Sequence, residues 1–210
     1  MKVTLRVLLL VAVFLLAYMC YASLQVSMRF DKEQELREKA IIARLIDIRK
    51  AQIEYKNVHK EHAADFDLLA KFLNEEKLPF LIKEGVLTDE QLEAGMTEQE
   101  AVKKGIIKRD TFWVIVKDTL FGKDFDAGDL RNVPGAGIQF SMDTATITSG
   151  SGYVIKVFEA GVRYDDYLGD LDKQLLFNLN EKAIKQNKYP GLRVGSLTEI
   201  NNNAGNWENL

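Results

Sequence analysis

Val7-Leu-Leu-Leu-Val-Ala-Val-Phe-Leu-Leu-Ala-Tyr-Met-Cys-Tyr-Ala22 contains no charged residue, no glycine and no proline. Extended through Ser23, Leu24, Gln25 and Val26 it reaches about twenty residues, the length at which a helix crosses roughly 30 Å of hydrocarbon. The segment therefore reads as one membrane span, with Val7, Leu10, Phe14 and Leu16 among its anchoring side chains. A second reading is a cleaved secretory signal, because Lys2 and Arg6 form a basic start and Cys20-Tyr21-Ala22 a small-x-small ending. Lipidation at Cys20 is disfavoured by the bulky Tyr18 and Met19 just before it.

Basic residues flank both ends of the span, Lys2 and Arg6 before it and Arg29 and Lys32 after it, so charge alone leaves orientation open. A short leading tail usually stays inside while a long C-terminal part is translocated. The expected location is an inner membrane crossed once, with the C-terminal domain periplasmic or extracellular. The sole cysteine, Cys20, lies within the apolar segment, so the rest of the chain has neither a disulfide nor a thiol metal ligand. Setting aside Lys2, Arg6 and Arg29 leaves 25 basic against 31 acidic residues, which argues against nucleic acid as a partner.

No glycine or proline occurs before Pro79, so nothing in the first 78 residues obliges a helix to stop. Beyond the span, Ile41, Leu45, Ile48, Gln52 and Tyr55 recur at alternating spacings of four and three, and Ile42, Ile46 and Ile53 widen the stripe. A face this broad is expected to pack on the protein's own sheet, with a partner helix as the alternative. Ile41, Leu45, Ile48 and Tyr55 are the candidate interface residues. Asp65–Asn74 reads as a further helix closed by Pro79, and capping boxes at Thr88/Gln91 and Thr97/Glu100 announce two short helices in a charged surface insertion. The period then changes to that of strands, at 111–116, 138–142, 145–148 and 153–164, with Ser149-Gly-Ser-Gly152 as a turn and a C-terminal helix over 173–188. The tail at 200–207 reads as a loop pinned by Trp207 or as a frayed end.

The expected fold is thus α+β: an N-terminal transmembrane helix continuing into a long amphipathic helix packed on an antiparallel sheet, with a C-terminal helix. The expected parts are an anchor over 1–28, a stem over 29–78 and a head over 79–210.

Candidate chemistry is sparse. His59 and His62 continue the packing stripe, which favours a rim position over metal ligation. Asp124, Asp126 and Asp129 are candidate calcium ligands, yet a helix-loop-helix calcium site beginning at Asp124 wants glycine where Asp129 stands and glutamate where Gly135 stands. The acids of 164–172 read as a helix cap, and Pro134-Gly-Ala-Gly137 leads into a strand, not the helix a dinucleotide loop requires. No cysteine nucleophile or Gly-x-Ser-x-Gly elbow occurs outside the span, so an enzyme is not expected.

The run Ala40-Ile-Ile-Ala-Arg-Leu-Ile-Asp-Ile-Arg-Lys-Ala-Gln-Ile-Glu-Tyr55, placed between an apolar helix and a sheet, resembles the stem of type IV pilins and secretion pseudopilins over residues 7–73. The cleavage glycine before phenylalanine and the glutamate five places into the mature helix of those proteins have no counterpart here. The resemblance implies a non-enzymatic, membrane-anchored structural component of a secretion or pilus-like envelope assembly. Its expected partners are the membrane, other envelope proteins and further copies of itself, joined through Val7 to Tyr55. The alternative is an exported ligand- or calcium-binding module, tethered or released by signal cleavage.

Overall fold

The computed structural model describes residues 2–88, 91, 93 and 95–208. One unbroken helix, α1 (Lys2–His59), contains both the apolar span and the stem. It stops because Lys60 adopts a left-handed conformation (φ 64°), which turns the chain out of the helix at the position where glycine is usual.

The chain forms two compact units. The first comprises residues 1–66 and 129–210, and its sheet has strand order β3 (Ser141–Thr148), β4 (Val154–Arg163), β5 (Gly191–Gly195), antiparallel throughout. Phe158, Ala160 and Val162 of the central strand share a face with Leu192 and Val194 of β5, and all five are buried. On the opposite face Arg193 pairs with Glu159 at 2.8 Å. α1 lies against β5 and β4. Ile41, Leu45 and Ile48 are fully buried there, as the stripe predicts, while Ile53 at its margin is 41% exposed. Two further helices, α5 (Tyr164–Leu168) and α6 (Lys173–Lys185), follow β4, and the Asp172 carboxylate caps α6 through the Gln174 and Leu175 amides.

The second unit, residues 67–128, holds most of α2 (Phe66–Glu75), an antiparallel ribbon of β1 (Lys77–Glu84) and β2 (Lys108–Ile115), and the short helices α3 (Glu98–Lys103) and α4 (Val116–Leu120). Thr97 and Glu100 form the expected capping box of α3. The helix expected behind Thr88 lies largely outside the described residues.

The structure differs from the sequence reading in several places. Pro79 does not close a helical region; it sits inside β1, opposite Trp113, in a ribbon whose strands both have a free edge that spares an N–H. Ile138–Phe140 is not a strand of its own: Gln139 makes a single bridge to Asn132, and β3 runs unbroken through the expected gap. β5 is additional, being only five residues long between Pro190 and Ser196. The tail to Glu208 is a pinned loop. Asn206 accepts from the Arg193 amide and donates to the Gly191 carbonyl, and a Cβ on Gly205 would meet the Trp207 indole at 2.3 Å.

Candidate functional site

The feature that sets this chain apart is the way an apolar helix is joined to a folded head. Val7, Leu10, Phe14 and Leu16 are 56, 57, 74 and 60% exposed, and the most apolar window of the helix, at mean hydropathy 2.5, has no residue buried in the fold. Leaving a large aliphatic side chain in water forgoes about 1.5–3 kcal/mol of burial, so a continuous run of them calls for a non-aqueous surrounding. Among the described residues one helix is long and apolar enough to cross a membrane, consistent with a protein that spans it once. Cys20 is exposed on that helix.

Past the span the same helix becomes part of the head. The fully buried part of its stripe ends in Gln52, where a leucine-like residue would fit the pattern. The Gln52 amide explains the exception: Nε2 donates to the Ala63 carbonyl and Oε1 accepts from the Ala63 amide, each at 2.9 Å, with Met142 Sδ at 3.2 Å. One side chain thus satisfies both main-chain groups of a buried residue on the segment that turns back from the helix.

Beside the stripe, three arginines reach the head. Arg37 grips the Asp170 carboxylate at 2.5 and 2.8 Å and donates to the Tyr167 carbonyl. Arg44 binds the Asp129 carboxylate at 2.8 Å and its main-chain carbonyl, and Arg49 binds Glu208 at 2.6 Å. The hydrogen bond from Arg37 holds the Asp170 carboxyl below the usual range, and those from Asn132 and then Arg44 do the same for Asp129. The Tyr167 hydroxyl donates to Glu38 at 3.0 Å; burial first, and the Glu38 charge second, push its pKa upward. Half-exposed ion pairs contribute about 0–1 kcal/mol each, so these contacts set register and the buried stripe supplies most of the adhesion.

His62 is buried, 6% exposed, and tilted against the Phe158 ring at 4.8 Å, with neither ring nitrogen hydrogen-bonded. Burial, reinforced by the Lys56 charge, pushes its pKa down to about 4. His59 instead lies tilted against the Tyr55 ring, with centroids 4.4 Å apart. Of the three candidate calcium ligands, Asp129 is taken up by Arg44 and Asn132, the Asp126 carboxylate accepts from the Gly128 amide, and Asp124 is exposed. Among the described residues no group of three or more His, Cys, Asp or Glu side chains is arranged to hold a metal.

Of the candidate interface residues, Ile41, Leu45 and Ile48 are committed to the protein's own core and Tyr55 is half-buried. The arginine row and the Gln52 clamp were not read from the sequence. The available signal was the choice of arginine, not lysine, at 37, 44 and 49 beside a buried stripe. Compared with known protein families, characterised proteins and solved structures, the chain matches none of them.

Proposed function

We propose that this protein is a non-enzymatic, single-pass structural component of a cell-envelope assembly of the secretion or pilus type. The anchor rests in the inner membrane, and the head projects into the periplasm or extracellular space. The observation that carries this reading is the 58-residue helix Lys2–His59, whose first part is bare and apolar and whose last part is sealed into the head. With no break between the two, force or displacement at the head is transmitted to the bilayer, and the reverse. Ile41, Leu45 and Ile48 are consumed by the head, so contacts with further copies fall to the span and to the head's outer surface.

The test has two parts. Alkaline carbonate should leave the full chain in the membrane pellet, and protease added to the head's side should digest the head while sparing the span; release by carbonate defeats the anchoring. Oxidative crosslinking at Cys20 in membranes should give a dimer-sized band that Cys20→Ser removes. A strictly monomeric pattern at all protein levels defeats self-association through the span.

A further inference from the structure

Where α1 leaves the apolar segment, the loop between α5 and α6 folds back against it and encloses a cavity of about 520 Å³. Its floor is Phe30, only 6% exposed, and its walls carry six charges, four of them on the helix. Arg29 and Lys32 come first. Glu33 and Arg37 follow on the helix, Asp170 stands level with Arg37, and Asp172 completes the lining. At a rise of about 1.5 Å per residue, Arg29 and Lys32 stand roughly 4.5 and 9 Å beyond Val26, and helix side chains lean back toward the N-terminus. The headgroup layer on each side of the hydrocarbon is about 5–8 Å thick, so both cations reach it.

The charges differ in how far they are already used. Asp170 holds Arg37 through two hydrogen bonds, Glu33 lies 3.9 Å from the same guanidinium, and Asp172 caps α6. Arg29 and Lys32 have no ion-pair or hydrogen-bond partner among the described residues. Two free cations at headgroup depth call for an anionic oxygen group, and phosphate is the one a bilayer presents there. The rest of the lining sets three carboxylates against the single cation Arg37, a balance that disfavours a purely anionic headgroup and suits one whose outer end is positive.

We propose that this cavity binds the headgroup of an ethanolamine phospholipid in the leaflet on the head's side, its phosphate between Arg29 and Lys32 and its ammonium against Asp170 and Asp172. The site rests on the anchoring proposed above, since it needs Val26 at the edge of the hydrocarbon. An ammonium has three N–H donors to give to carboxylates, and choline has none, so the site distinguishes the two although their phosphates are alike.

The experiment uses the full chain in nanodiscs containing equal parts of ethanolamine, choline and glycerol phospholipids, with native mass spectrometry counting the lipid that stays bound on release. The ethanolamine lipid should be retained severalfold over the other two. The double variant Arg29→Gln/Lys32→Gln, whose replaced side chains are exposed and unpartnered, should drop it to the level of the choline lipid without changing the melting temperature in detergent. Equal retention of all three lipids, preference for the glycerol lipid, or no effect of the double variant each overturns the site. So does equally tight binding of soluble glycerophosphoethanolamine to the detergent-purified chain, which would assign the cavity to a free metabolite. Carbonate extraction of the same membranes separates the two failures: a chain that stays in the pellet yet shows no lipid preference loses only this site, and a chain that washes off loses the anchor.

Discussion

Two buried polar side chains, Gln52 and His62, are handled in opposite ways. Gln52 has its amide fully used by Ala63, so replacing it with leucine keeps the volume but strands a buried N–H and a buried carbonyl. An unsatisfied buried group costs about 1–3 kcal/mol, and Gln52→Leu should lower stability by roughly 2–4 kcal/mol in denaturant titration of the detergent-solubilised chain. A variant as stable as the parent would show that the clamp contributes nothing. His62, in contrast, has neither ring nitrogen hydrogen-bonded, and a proton on it is opposed by burial first and by the Lys56 charge second. Its pKa is near 6.5 when unfolded and about 4 when folded, so the unfolded chain takes up the proton first. The full stabilisation is present above pH 6.5 and is lost as pH falls toward 4, by about 1.4 kcal/mol per unit and on the order of 3 kcal/mol in all. His62→Phe should flatten that part of the stability profile, and an unchanged acid limb would place the sensitivity in other groups. Lys60 offers a milder check: its left-handed φ makes Lys60→Gly a stabilising change of up to about 1 kcal/mol in the same titration.

At the scale of elements, α1 divides its labour between apolar and charged rows. Truncating Leu45 to alanine removes a fully buried side chain beneath the sheet and should cost about 2–5 kcal/mol, while Arg44→Ala, which opens a half-exposed pair with Asp129, should cost about 1 kcal/mol or less. The reverse ranking would mean that charge, not burial, fastens the helix. This element was legible from the sequence because its signals are local: absence of glycine and proline permits the helix, and the four-three spacing marks the face that is buried. The partners of Arg37, Arg44 and Arg49 lie 133, 85 and 159 residues away, and no local pattern encodes a pairing of that reach. β1 was hidden for another reason. Pro79 is a strong stop signal for helix, and it masks the fact that an edge position in a ribbon accepts it. The five residues of β5 gain their strand character from Glu159–Arg163 beside them, not from any alternation of their own.

For the whole molecule, the question is whether the head needs the apolar part of α1 to fold. None of the described residues from Thr4 to Met28 is buried, and Phe30 is the first side chain of α1 to enter the core. The stripe from Ile41 to Gln52, the three arginine contacts and the whole β3–β4–β5 sheet lie beyond that point. Removing residues 1–28 therefore deletes the exposed apolar surface and leaves the buried core intact, at the expense of one new helix end at which a few residues fray. The truncated chain should be recovered without detergent, run as a compact species in size exclusion, and unfold cooperatively in urea with a midpoint close to that of the full chain in detergent. Far-ultraviolet circular dichroism should report loss of the deleted helical turns alone. Aggregation, or a broad non-cooperative transition, would mean that the helix holds the head together only while the bilayer holds the helix, so that anchor and head are a single structural unit instead of a tether and its load.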